Sequence, residues 1–439
     1  MSSKSLQLFS RRRALAGLAA TAAFGGARSN DAIAQSIPER GVPEDGVGPT
    51  FAHRGPDAKL YGADEGYPVP GFPRAQLTGN PWGPKYRVGA FSHLDEIYTT
   101  RKVSCAAVPW MFKRSASEIR YRFQGNQSSP ADYLSRNPVT GLVIAQDDRI
   151  LFEQYQYDRT DRDRLVAQSM VKSITGLLIG IAISTGAIKS VDDTTEAYVP
   201  GFKGTEYGRT PIRDLLHMSS GVEFGEASDG ERDLKRLWRD MVAGSWIVGK
   251  GTINSIVQFN RRIASPGTRY SYASIEPDVL GVVLRYATGK SASDYLQEKV
   301  WQPIGAEADA TWLVDAEGFE LGHFGFSAVM RDYARLGRLL AHDGAWEGKQ
   351  IIPVQWMIDA TTVRPSDAYL APNKAMPWFG YGYLLWLLPG TRRQFALVGD
   401  YGQRICIDPA SKLVMVQTAL DSTNDEVWRL WSAVVEQFG

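Results

Sequence analysis

Ser169-Met170-Val171-Lys172, with the Ser173-Ile174-Thr175-Gly176-Leu177-Leu178-Ile179-Gly180-Ile181-Ala182-Ile183 that follows it, is the stretch on which the reading of this chain turns. It holds the chain's single Ser-x-x-Lys. The apolar residues Ile174, Leu177, Leu178, Ile179, Ile181 and Ile183 predict a buried helix that stops near Gly186. Residues three apart on a helix share a face, which sets the Lys172 amine beside the Ser169 hydroxyl. A serine hydroxyl is a poor nucleophile until a nearby base takes its proton. A lysine is that base only when neutral, and burial in an apolar helix disfavours its charged form. Alone the pattern is weak, because a serine here serves equally as a helix N-cap and the lysine as a surface charge.

Outward from this helix, the chain brackets a long middle section with strands. Gly141-Leu142-Val143-Ile144-Ala145, Asp147-Asp148 and Ile150-Leu151-Phe152 read as a hairpin just before Ser169. Three further strands are expected at Gln394–Val398, Arg404–Ile407 and Lys412–Leu420, then an amphipathic helix over Asp425–Phe438 with Val427, Leu430, Trp431 and Val434 on one face. Another helix runs from about Ser327 through Leu336 and Leu340, ending before Gly344. Two strands before and three after a largely helical insert of about 190–380 predict an α/β (α+β) fold. It has one five-stranded antiparallel sheet flanked by helices, plus a mostly helical lobe. The Ser169 helix falls at the junction, where a cleft is a natural site.

The 439 residues, 44% of them hydrophobic, suffice for a large core, and the formal net charge of +1 gives no electrostatic footprint for nucleic acid. Residues 1–35 read as a twin-arginine signal peptide: Arg11-Arg12-Arg13, a weakly apolar Ala14–Gly26 run, and an Ala32-Ile33-Ala34 cleavage signal. That run is too short to span a bilayer, and no later one reaches about 18 apolar residues. A periplasmic or secreted protein without stable membrane insertion is therefore expected. Residues 36–90 are rich in glycine and proline without periodicity and read as an irregular extension, either shaping a site mouth or packing on the surface. An oxidising compartment permits a disulfide between Cys105 and Cys406, but the sequence does not place them together.

A serine–lysine pair needs a group to carry the proton to the leaving atom and backbone N–H donors for the oxyanion. Tyr272 in Pro266-Gly267-Thr268-Arg269-Tyr270-Ser271-Tyr272-Ala273-Ser274 sits on a loop leading into a helical pattern (Val279, Leu280, Val283, Leu284). A nearby cation that holds its phenol close to phenolate would suit it to the first task. Competing motifs are missing: there is no Gly-x-Ser-x-Gly, no His-Glu-x-x-His and no zinc spacing among His53, His93, His217, His323 and His342. Gly244–Lys250 approaches a P-loop, but Gly251 stands where Ser or Thr is required.

The order Ser-x-x-Lys, then Tyr-Ala-Ser at 272–274, then a glycine-bearing strand near the end resembles the serine β-lactamase and penicillin-binding-protein superfamily. Within it, the chain is most similar to the class C-related branch with its esterases and 6-aminohexanoate-dimer hydrolases. Ile212-Arg213-Asp214-Leu215-Leu216-His217-Met218-Ser219-Ser220-Gly221, Asp332-Tyr333-Ala334-Arg335-Leu336-Gly337 and Gly399-Asp400-Tyr401-Gly402-Gln403 with Ile407-Asp408-Pro409 carry the likeness, which spans residues 91–439. It implies an acyl-enzyme on Ser169, Lys172 as proton acceptor, and Tyr272 as donor to the leaving group and later activator of water. It further implies backbone oxyanion donors at Ser169 and Asp400, and Ser274, Gly399 and Tyr401 against the substrate. No cofactor or metal is implied, and the oligomeric state stays open. His217 is expected to pack beneath the site. Two departures bear on the substrate. The family's Lys-Thr-Gly reads Leu397-Val398-Gly399, and its Tyr-x-Asn reads Tyr272-Ala273-Ser274. Both favour a small neutral amide or ester over the carboxylate-bearing substrates of a β-lactamase or DD-peptidase, the alternative together with a non-catalytic binding or sensor module.

Overall fold

The computed structural model describes residues 48–63, 82–226, 231–243, 250–422 and 425–439. The signal-peptide reading of 1–35 and most of the Gly/Pro-rich stretch lie outside the described residues.

Among the described residues, thirteen strands build the two larger sheets: β1 (Thr50–Phe51), β2 (Thr100–Val103), β3 (Lys113–Arg114), β4 (Val139–Gln146), β5 (Arg149–Tyr155), β6 (Leu165–Val166), β7 (Ala310–Leu313), β8 (Phe326–Ala328), β9 (Gly380–Tyr381), β10 (Trp386–Leu387), β11 (Phe395–Gly399), β12 (Gln403–Asp408) and β13 (Leu413–Ala419). The five strands expected from the sequence lie side by side and antiparallel, in the order β5-β4-β13-β12-β11. The sheet does not stop at five, which corrects the expectation. β10 and β9 extend it beyond β11, while β1 and β3 both pair with β5 in parallel, giving nine strands among the described residues. Each added strand is only two residues long, too short to show any alternation in the sequence. The middle section is likewise not only helical. β7 and β8 join β2 and β6 in a second sheet of order β2-β7-β8-β6.

Period-2 alternation splits the large sheet into two buried faces. Val143, Val416, Ile405 and Leu397 face the main core. Leu142, Ile144, Met415 and Cys406 face the last helix, α4 (Glu426–Phe438), through Val427, Leu430, Trp431 and Val434. On the main-core side lie α1 (Met170–Ser184), α2 (Ile275–Thr288) and α3 (Met330–Ala341). α1 is buried along almost its whole length, as its apolar run requires. Each fully buried aliphatic chain contributes about 1.5–3 kcal/mol, so α1 is a fixed axle. No described helix is long and apolar enough to cross a membrane. Cys105 and Cys406 are both free thiols.

Candidate active site

β6 runs into α1 through a tight turn. Gln168 takes a left-handed backbone (φ +49°), which costs a non-glycine residue about 1–2 kcal/mol. Hydrogen bonds just before it hold the turn: Ala167 N–H to Phe326 O at 2.8 Å and Val166 N–H to Phe91 O at 2.9 Å. Ser169 is thereby presented half-buried as the N-cap of α1, while Lys172, one turn on, is 2% exposed. Lys172 Nζ donates to Ser169 Oγ at 2.8 Å and to His323 O at 3.4 Å. The helical spacing read from the sequence has become a contact.

Tyr272 arrives from the other side. It stands two residues before Ser274, the N-cap of α2. The Glu226 carboxylate accepts the Ser274 N–H at 2.7 Å and also the Ser274 hydroxyl, fixing the end of the helix as a capping anion does. Lys172 Nζ lies 5.0 Å from the centroid of the Tyr272 ring. The segment around His323 ties the two helices together. Asp278 of α2 accepts from His323 N at 3.3 Å and from its Nδ1 at 2.8 Å, and Thr175 of α1 donates to Gly322 O at 3.3 Å. A Cβ on Gly322 would lie 2.2 Å from Pro277 O, so only glycine permits this approach.

Burial lowers the Lys172 pKa, while Glu226, Asp400 and Asp278 pull it back upward. The Tyr272 pKa moves strongly upward, chiefly by burial and then by Glu226 and Asp400, with the Ser169 hydroxyl opposing. Burial thus works against a phenolate at Tyr272. The surroundings favour a neutral phenol, which suits a proton donor, and a neutral amine, which suits a base.

On the third side, β11 brings Gly399 against Ser169. A Cβ there would lie 2.5 Å from Ala167 O and 3.0 Å from Ser169 N. Asp400, exposed, opens the turn that follows, and Tyr401 sits half-buried with its ring 5.2 Å from that of Phe91. Leu397 shares the strand face of Gly399 and is fully buried, so the place of the family's lysine holds no cation. Ser274, 2% exposed and engaged by Glu226, stands as a helix cap beneath the site. His217 is buried, its ring 4.9 Å from that of Tyr383 and its pKa lowered to about 3, mainly by burial. Sequence reasoning missed Glu226 and the Asp278–His323 pair, which carry no motif. It also missed the aromatic wall of Tyr381 and Trp386, 6.4 and 6.0 Å from the Tyr272 ring. Among the described residues, no group of three or more His, Cys, Asp or Glu side chains is arranged to hold a metal ion.

The sequence profile of the family described as beta-lactamase matches residues 134–430. The chain belongs to the β-lactamase family. A 6-aminohexanoate-dimer hydrolase of Paenarthrobacter ureafaciens is 26% identical over 350 residues, covering 78% of this chain and 87% of the relative. Among solved structures, a "Putative 6-aminohexanoate-dimer hydrolase" from Bacillus anthracis superposes with a TM-score of 0.72 at 23% identity, covering 81% of this chain and 95% of that one. A family VIII carboxylesterase superposes with a TM-score of 0.53 at 16% identity, covering 69% and 93%. These two likenesses show the fold. The family match and the curated relative make this β-lactamase-family chain a serine hydrolase, and hydrolases of this family act on small amides or esters.

Proposed function

We propose that this chain is an exported hydrolase that forms an acyl-enzyme on Ser169 and cleaves small linear amides or esters, of the kind named for its 6-aminohexanoate-dimer hydrolase relative. The observation that carries the reading is the buried Lys172 amine at 2.8 Å from Ser169 Oγ, with burial favouring its neutral form. As Ser169 Oγ attacks the carbonyl carbon, its proton passes to Lys172 Nζ. The carbonyl oxygen, now negative, accepts from the backbone N–H groups of Ser169 and Asp400. Tyr272, held neutral, gives its proton to the departing nitrogen or oxygen, and the C–N or C–O bond breaks. The phenol is restored by the proton stored on Lys172. Water then attacks the ester by the same route in reverse and frees Ser169.

The substrate side supports a neutral acyl group. Leu397 offers no cation to a carboxylate, Tyr381 and Trp386 supply an aromatic wall beside Tyr272, and Glu226 and Asp400 add negative charge. The export half of the reading rests on Arg11–Arg13 and Ala32-Ile33-Ala34. Treating the protein with a nitrophenyl ester or a phosphonate probe and mapping the adduct by mass spectrometry tests the chemistry. No adduct on Ser169, or unchanged hydrolysis by Ser169→Ala, defeats it. Rapid turnover of a chromogenic β-lactam would show the argument from Leu397 to be wrong. Slow stoichiometric acylation without turnover would favour a sensor. Fractionation and N-terminal sequencing of the mature protein check export.

A further inference from the structure

Arg87 stands in the segment that precedes the family-matched residues 134–430, yet it is buried to 6% exposure. A buried guanidinium is costly unless its donors are used. Here Nη1 donates to Leu420 O and to Asp421 Oδ2, both at 2.8 Å, and Nε to Trp82 O at 3.1 Å. The guanidinium also lies 4.5 Å from the centroid of the Tyr401 ring, and the Phe91 ring approaches the same ring at 5.2 Å. Tyr401 needs such a grip, because its backbone is left-handed (φ +60°, ψ +20°), an unfavourable state for a tyrosine. Asp400, whose N–H is the second oxyanion donor in the proposed reaction, is the residue immediately before it. Gln403 Nε2 secures the turn from the opposite side by donating to Asp400 O at 3.1 Å.

The same short segment also grips the first donor. Phe91 O accepts the Val166 N–H at 2.9 Å, three residues before Ser169. Residues 87–91 therefore hold both backbone stretches whose N–H groups must converge on one oxygen: the strand leading into Ser169 and the turn carrying Asp400. A staple serving only to park the start of the chain has no reason to bind at these two points.

We propose that Arg87 is a positioning residue for the oxyanion hole. With Phe91 it clamps the 400–402 turn against the approach to Ser169, so that a segment outside the family-matched region completes the active site. The inference rests on the acyl-enzyme reading above. A misplaced donor weakens transition-state binding more than substrate binding, so the clamp acts on kcat.

The test is a double-mutant cycle on the full-length protein with a nitrophenyl ester. It reads kcat, KM, melting temperature and phosphonate labelling of Ser169 for Arg87→Ala, Tyr401→Ala, Tyr401→Phe and the Arg87→Ala/Tyr401→Ala double. The expected result is a fall in kcat of at least about tenfold in each alanine variant with KM within about twofold. The double should be little worse than the poorer single, because the two residues form one contact. Tyr401→Phe, which keeps the ring under the guanidinium, should lose clearly less of kcat than Tyr401→Ala. Wild-type kcat in Arg87→Ala, or losses that multiply in the double, overturn the proposal. Should Arg87→Ala fail to fold, the Tyr401 pair decides, and equal kcat in Tyr401→Ala and Tyr401→Phe overturns it. A wild-type protein that takes no label on Ser169 defeats the functional reading itself. Labelled wild type beside an unaffected Arg87→Ala defeats only the clamp.

Discussion

Gly399→Ala isolates one contact in the site. The backbone there is ordinary extended strand (φ −131°, ψ 159°), so alanine meets no conformational penalty. The whole cost is space. The new methyl would stand 2.5 Å from Ala167 O, 2.9 Å from Gln168 Cβ and 3.0 Å from Ser169 N. Atoms in folded proteins do not persist below 3.0 Å at such a contact, so β11 and the turn bearing Ser169 must separate by about 0.5 Å. Overpacking of this kind costs about 1–3 kcal/mol, which in a chain of this size lowers the melting temperature by a few degrees. The effect on rate is larger. A misplacement of about 1 Å costs roughly 10²-fold, and loss of one oxyanion donor about 10²–10³-fold. Half that displacement predicts a kcat lowered by about 10–100-fold with KM little changed. Steady-state hydrolysis of a nitrophenyl ester, with thermal unfolding and phosphonate labelling on the same preparations, measures all three quantities. A Gly399→Ala protein with wild-type kcat and melting temperature would refute the claim that β11 and the Ser169 turn are held in working contact.

Lys172→Arg, which keeps a permanent charge, should lose about 10²–10⁴ of kcat, since a cation accepts no proton; ester hydrolysis by folded variant checks it. In the wild type, activity should fall as pH drops through the Lys172 pKa, which burial sets below the ordinary lysine value. Glu226, Asp400 and Asp278 raise that pKa, so Asp278→Asn should move the acid limb of kcat/KM to lower pH, and a shift to higher pH would contradict the assignment. Glu426, fully buried on α4, accepts from Arg136, Tyr121 and Asn137. Glu426→Ala removes the acceptor of the buried Tyr121 hydroxyl and Asn137 amide beside a part-exposed Arg136, and should destabilise by about 1–3 kcal/mol in denaturant unfolding, with kcat of the folded protein retained. Titration with Ellman's reagent should find only the half-buried Cys105 in the native protein. Cys406, buried in the sheet with its thiol pKa pushed up to about 12, should react only after denaturation.

What could be read in advance follows from how far each signal reaches along the chain. α1, α3, α4 and the strands β4, β5, β11, β12 and β13 were legible because each is long enough to show its period, and α1 is apolar on every side. The two-residue strands β1, β3, β9 and β10 were not, since pairing with a neighbour creates them and no local pattern marks them. Ser169 and Lys172 were legible because three residues of helix place them together whatever surrounds them. Tyr272, Gly399 and Asp400 came from family resemblance. Glu226, Asp278, His323 and Arg87 carried no mark at all.

The sequence by itself determined the Ser169–Lys172 pairing, the five long strands that bracket the insert, and the lack of a cation at Leu397. These are properties of residue identity and local helical geometry. Only the tertiary structure decided that burial pushes the Tyr272 phenol upward in pKa, that Ser274 is a cap held by Glu226, that His323 ties α1 to α2, and that Arg87 reaches Tyr401. Each of these depends on burial and on contacts between residues far apart in the chain. Desolvation and packing belong to the assembled molecule, and no spacing along the backbone encodes them.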